Sequence, residues 1–172
     1  MIGKRILVIG CPGSGKSYLS SRLSKATSLP LIHLDMLYWN SDKTPVEREL
    51  FLSRLQEALS GDEWIIDGNY ISTMELRMKH CDTVIFLDFP TELCLQGLRE
   101  RRGKPRTDMP WIETEEDKEF TDFVRSFNSE QRPKVLKLLE AYSYVNRIVL
   151  NDRTQLHTFI EDIIKNNSSQ VN

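Results

Sequence analysis

The stretch Ile6-Leu-Val-Ile-Gly10, followed by Cys11-Pro-Gly-Ser-Gly-Lys16-Ser17, constrains the fold of this chain more than any other. Its apolar, mostly β-branched start reads as a buried strand. The residues from Gly10 to Ser17 then match strand–G-x-x-x-x-G-K-S/T–helix in full. Glycines at 10, 13 and 15 allow the backbone to wrap so that successive N–H groups point inward, forming an anion cradle at a helix N-terminus. Gly10, Cys11, Pro12, Gly13, Ser14, Gly15, Lys16 and Ser17 are therefore expected to hold nucleotide phosphates. Lys16 supplies a point charge to the β- and γ-phosphates, and the Ser17 hydroxyl is the expected Mg²⁺ ligand. Cys11 would bind through its backbone N–H, with the helix N-terminus expected to lower its thiol pKa. The competing reading is a plain glycine-rich turn before a helix. The strand before the loop and the helical pattern after it argue against that.

The rest of the chain repeats the strand-then-helix alternation. Apolar runs at Arg5–Ile9, Glu63–Ile66, Thr83–Leu87 and Arg147–Leu150, with a less apolar one at Pro30–Leu34, read as strands buried on both faces. Helical patterns are expected at Lys16–Thr27, Pro45–Leu59, Thr91–Arg102, Pro133–Tyr142 and Thr154–Lys165. The second of these opens on Thr44-Pro45-Val46-Glu47, which has the form of a capping box with proline at the first helical position. Gly61 is placed to end it. Residues 103–131 are polar and rich in turn formers, and read as a mobile, partly helical lid-like flap. Residues 35–60 form an acceptor-side helical segment, and the tail 166–172 is expected to fray. Such alternation implies an α/β fold with a five-stranded parallel sheet, its ligand at the carboxyl ends of the strands.

At 172 residues the chain suits one domain, and 40 % hydrophobic with 28 % charged residues is a globular composition. A formal charge of −2 gives no global attraction to nucleic acid or anionic lipid. No apolar run approaches the roughly 20 residues that span a bilayer, and the N-terminus lacks a signal-peptide pattern. Cys11, Cys81 and Cys94 are an odd, widely spaced set, expected as reduced thiols in a cytoplasmic protein. A monomer and a homodimer are equally compatible with the sequence.

A guanine-reading Asn-Lys-x-Asp segment is absent, and the last strand ends in Leu150-Asn151-Asp152-Arg153 instead. Three segments resemble the adenylate-kinase-like small-molecule kinases. They are Trp64-Ile-Ile-Asp67-Gly68-Asn69-Tyr70, then Val84-Ile-Phe-Leu-Asp88-Phe-Pro90 with its helix to Arg99-Glu-Arg101-Arg102, and the late strand with Asn151–Arg153. More closely, His33-Leu-Asp35, Leu37-Tyr-Trp39, Asp67-Gly-Asn-Tyr70, Arg77, Phe86-Leu-Asp-Phe-Pro90 and Arg132-Pro133 resemble a bacterial family called DNA topology modulation proteins, or FlaR-related, over nearly the whole chain. The resemblance implies a three-layer P-loop NTPase fold of the nucleoside/nucleotide-kinase kind with a short lid, using ATP and Mg²⁺. It puts Arg153 beside the adenine, and Arg101 and Arg102 on the phosphates.

The residues themselves leave several roles open. Asp67 ends a buried strand, where a carboxylate can serve the Mg²⁺ ion, and it also begins an Asp-Gly turn signal. Asp35 is placed to accept an acceptor's hydroxyl proton or to cap the next helix. Arg99–Arg106 is a lid whose arginines, Arg106 among them, close on phosphates, or a solvated basic helix end. A DNA-backbone patch is the third reading of that run, opposed by the net charge. Arg77 would meet an acceptor's anion or lie on a surface. Tyr38, Trp39 and Tyr70 would stack on an acceptor ring or pack in the core. Asp88, followed by Pro90, reads as a helix-entry residue outside the site. Two functions follow: ATP-dependent phosphoryl transfer to a small nucleotide, nucleoside or other metabolite, or nucleotide-dependent regulation of DNA or a protein partner.

Overall fold

Each side of strand β1 (Arg5–Gly10) is apolar, and that alone requires helices on both faces of the sheet it joins. In the computed structural model, which describes residues 2–168, Ile6 and Val8 point into one core and Leu7 and Ile9 into a second. The other strands are β2 (Leu31–His33), β3 (Trp64–Asp67), β4 (Thr83–Leu87) and β5 (Asn146–Leu150). They form one five-stranded sheet in the order β2-β3-β1-β4-β5, every pairing parallel.

The first core takes Leu19 and Leu23 of α1 (Lys16–Thr27) and Cys94 and Leu95 of α5 (Thr91–Arg101). It also takes Val124 and Phe127 of α6 (Lys118–Glu130) and Leu156 and Ile160 of α8 (Arg153–Ser168). The second takes Phe51, Leu55 and Leu59 of α3 (Arg48–Leu59) and Met74 and Met78 of α4 (Ile71–Met78). Val135 and Leu139 of α7 (Arg132–Ala141) complete it. A five-residue helix, α2 (Leu34–Tyr38), follows β2 directly. The expected three-layer α/β fold is present. Burial on both faces holds for the inner strands β1, β3 and β4. Edge strand β5 is largely exposed until Leu150.

Three expectations need correction. Helix α3 begins at Arg48 rather than Pro45. Pro45 instead forms a bridge with Trp39, and the Thr44 hydroxyl donates to Asp42 at 2.6 Å, so it caps no helix. The flap over 103–131 divides in two: residues 118–130 are helix α6, capped by Asp117 on Phe120 N–H and packed into the core, and only 103–117 lack regular structure. Of the tail, residues 166–168 finish α8, and 169–172 lie outside the described residues. No described helix is long and apolar enough to cross a membrane.

One contact fixes the phosphate loop in this frame. A Cβ on Gly97, inside α5, would lie 2.0 Å from the Gly13 carbonyl oxygen. A Cβ on Gly13, whose φ is +84°, would lie 2.1 Å from the Cys94 carbonyl oxygen. Glycine within a helix costs about 1 kcal/mol relative to alanine, and here that cost is accepted so that two backbones can touch. Gly97→Ala is therefore expected to destabilise the protein, since forcing a methyl against rigid backbone costs about 1–3 kcal/mol and outweighs the helix gain. A lowered melting temperature in thermal unfolding is the expected result; an unchanged or raised one contradicts the contact.

Candidate active site

The carboxyl ends of β1, β2 and β3 meet at one edge of the sheet, with Val8 and His33 both in register with Asp67. A cleft of about 1590 Å³ opens there. Pro12 to Ser17 form one wall, continuing into α1, whose N-cap Gly15 has the left-handed φ of +98°. Gly10 and Cys11 lie beneath that wall rather than on it. The Lys16 ammonium donates to the Cys11 carbonyl at 3.1 Å. Burial lowers the Lys16 pKa, against the pull of Cys11, Asp67 and Asp35. The expected lowering of the Cys11 thiol pKa is not found. A hydrogen bond with Cys94, then burial, raise it, because the sulfur points into the core instead of toward the helix amides.

Asp67 sits at the cleft floor, 4 % exposed, and both its oxygens lie 2.9 Å from His33 Nδ1. Burial opposes a charged His33, but the hydrogen bond and charge of Asp67 outweigh it and the His33 pKa is raised. This pairing follows from the strand register and was outside the sequence reading, which assigned His33 no role. Asp35 lies in the first turn of α2 and caps nothing; its Oδ1 accepts from the Tyr70 hydroxyl at 2.6 Å. Burial raises the Asp35 pKa despite that bond and the nearby Lys16 charge. Asp35, Trp39 and Tyr70 all line the cleft.

Two expected acceptor contacts are not on the cleft wall. Tyr38 stands behind it, edge-on to Trp39 and Phe51 and tilted against Tyr70. Arg77 is fully buried, and burial lowers its pKa to about 9. Its guanidinium donates to the carbonyls of Gly68, Asn69 and Tyr70 at 2.8, 2.8 and 2.9 Å. It therefore braces the turn after Asp67, where Tyr70 has the uncommon φ of +20°. The sequence marked an arginine one helical stretch beyond Asp67, and that position suits a brace on the turn as well as a ligand. Asp88 does not line the cleft and is held by Arg132 at 2.7 and 2.8 Å.

The far wall is the 103–117 segment with the end of α5. Arg101 Nε is 2.8 Å from Glu113, Arg106 Nη1 is 3.1 Å from the same carboxylate, and Arg102 is 3.6 Å from Glu116. Arg153, at the start of α8, is paired with Glu100 at 2.9 Å and also lines the cleft. One acid here escaped the sequence reading. Asp108, 4 % exposed, accepts from the Ser17 hydroxyl at 2.5 Å and from Arg106 at 2.6 and 2.9 Å. Burial works against its charge, yet these bonds hold its carboxyl well below the usual carboxylate range. Its only trace in the sequence is an Arg-x-Asp step in a polar stretch without periodicity. Trp111 of the same segment meets Trp39 edge to face, ring centroids 5.5 Å apart.

Among solved structures, the chain is similar to a shikimate kinase from Acinetobacter baumannii in complex with shikimate, with a TM-score of 0.63 at 16 % identity over 97 % of this chain and 94 % of that one. It is similar also to a gluconokinase from Sinorhizobium meliloti 1021, with a TM-score of 0.59 at 15 % identity over 97 % and 93 % of the two chains. A shikimate kinase from Aquifex aeolicus vf5 gives 0.56 at 19 % identity over 97 % and 98 %. These likenesses show the fold: a parallel sheet between two helical layers, shared with P-loop kinases of small molecules. No protein-family model matches the chain, and no curated protein matches it.

The raised pKa of Asp35 has a thermodynamic consequence. A carboxyl whose folded pKa exceeds its unfolded value destabilises the fold once ionised, so stability falls as pH rises through the folded pKa. Asp35→Asn keeps an acceptor for Tyr70 and removes the buried charge. It is expected to raise the melting temperature at pH 7, with the gain vanishing below the unfolded aspartate range of about 4. Melting curves across pH read this directly; an equal gain at every pH contradicts it.

Proposed function

We propose that this protein is an ATP- and Mg²⁺-dependent kinase that transfers the γ-phosphoryl group to a hydroxyl of a small molecule. The observation that carries this reading is the convergence on one cleft of the phosphate loop, a partly buried carboxylate with raised pKa, and two paired arginines, Arg101 at the end of α5 and Arg106 on the irregular segment, facing both. The loop amides and Lys16 bind and orient the phosphates. Asp35 lies across the cleft, where a carboxylate receives the acceptor's hydroxyl proton, and its raised pKa brings it nearer neutral operating pH. Tyr70 holds that carboxylate at Oδ1, leaving the other oxygen for the acceptor. Arg101 and Arg106 offset charge on the transferring group, and the 103–117 segment excludes water when it closes.

The residues fit a Mg²⁺ ion. Ser17 and Asp67 offer hard oxygen donors, and His33 fixes the Asp67 carboxylate as an outer partner does. No group of three or more His, Cys, Asp or Glu among the described residues is arranged to hold a metal alone. That suits an ion bound chiefly by phosphates with one or two protein ligands. When bound, the ion neutralises phosphate charge. Trp39, Tyr70 and Trp111 line the acceptor side, and the acceptor is a small metabolite, nucleoside or nucleotide that fits among them.

The fold neighbours are kinases by name, which favours this reading over regulation of DNA under the family resemblance noted from the sequence. Three of the arginines of that run, Arg101, Arg102 and Arg106, are engaged by Glu113, Glu116 and Asp108, which cancels much of their charge. A screen of hydroxyl acceptors with ATP and Mg²⁺ tests the proposal. Acceptor-dependent ATP consumption is expected, abolished by Lys16→Ala and lowered about 10²–10⁴-fold by Asp35→Asn, the usual range for a proton-transfer group. ATP binding with no consumption across the panel, unaffected by Lys16→Ala, overturns it.

A further inference from the structure

The Ser17 hydroxyl has one proton and two lone pairs. To hold a metal through oxygen it keeps its proton, and that proton must be donated elsewhere. Asp67, at the carboxyl end of β3 beside the loop, is one acid of the cleft that could accept it. Yet Asp67 is taken up by His33, and the Ser17 proton goes to Asp108. Asp108 lies 91 residues further along the chain, in the irregular segment. It is buried, ionised against Arg106, and therefore costly to place there without a purpose. Its second partner, Arg106, also reaches Glu113, which holds Arg101. One connected set of charges thus runs from the metal-binding hydroxyl to the two arginines of the far wall.

We propose that Asp108 is a positioning residue of the metal site: it accepts the Ser17 proton, aims the hydroxyl lone pair at the Mg²⁺ ion, and so ties closure of the 103–117 segment to metal occupancy. The proposal rests on the kinase reading for the presence of a metal-bound nucleotide. Hydrogen-bonded partners of metal ligands are worth about 10–100-fold in metal affinity when removed. A metal on the hydroxyl oxygen polarises its O–H, strengthening the bond to Asp108 and holding Arg106 and its partners more firmly over the phosphates when the ion is bound. Trp111 lies three residues from Asp108 on the same segment, and its edge contact with Trp39 offers a reporter of the segment's position.

The test uses Mn²⁺ as the metal and ADP as the nucleotide. Metal affinity of the ADP-loaded protein is read by water-proton relaxation, ADP affinity by calorimetry with the metal chelated, and closure by tryptophan emission. Asp108→Asn is expected to weaken Mn²⁺ retention about tenfold or more. Metal-free ADP affinity should stay within about twofold, and the metal-induced emission change should be lost. Asp108→Glu should recover part of both metal responses, which separates positioning from a failure to fold. Unchanged Mn²⁺ affinity in Asp108→Asn overturns the proposal, as does tighter Mn²⁺ binding, which would make Asp108 a competitor for the site. Equal loss with and without metal also overturns it, leaving Asp108 a general brace. If the unaltered protein binds no ADP even without metal, the nucleotide reading fails first, and the chelated titration shows that separately.

Discussion

The fold turns on a backbone that must curl tightly enough to aim its amides at one point while resting directly on another backbone. Gly13 and Gly97 make that contact, and it sets where the phosphate loop lies relative to α5. From there the rest is geometrically determined. Strand β1 delivers the loop at the carboxyl edge of the sheet, and β3 and β2 bring Asp67 and the start of α2 to the same edge. Helix α5 ends in the arginines that begin the opposite wall. A loop shifted by the width of a methyl would misplace both walls at once.

Charge in the cleft is arranged as compensated pairs and not as a single field. Three carboxylates line the cleft that Lys16 enters, each with a distinct partner: Asp67 with His33, Asp35 with Tyr70, Asp108 with Ser17 and Arg106. Burial pushes both Asp35 and Asp108 up. The Tyr70 hydroxyl does not offset it at Asp35, whereas the Arg106 guanidinium and the Ser17 hydroxyl hold Asp108 low. The same residue type is therefore shifted in opposite directions within one cleft.

The donor side of this cleft was legible because its features are local in sequence. A strand, a glycine pattern and a lysine within one short stretch dictate a structure that tertiary context hardly alters. The inner strands β1, β3 and β4 were legible for a similar reason, since burial on both faces writes an unbroken apolar run. The helix start at Thr44-Pro45 misled because the same residues also suit a turn, and the bridge to Trp39 supplied pairing that the helix could not. Helix α6 carries Phe120, Phe123, Val124 and Phe127 at helical spacing, a signal that reading 103–131 as one partly helical flap did not separate from the irregular part. Arg77 and Asp108 were invisible or misread because their partners are set by folding: three carbonyls of a turn in one case, a hydroxyl 91 residues away in the other.

The contact between Gly13 and Gly97 also bears on how such a chain drifts over generations. A side chain on Gly97 would meet the Gly13 carbonyl, and one on Gly13 would meet the Cys94 carbonyl in the helix turn before Gly97. Enlarging either position while the loop stays in place is therefore blocked by backbone, and a change at either one rebuilds the seat of the loop rather than adjusting it.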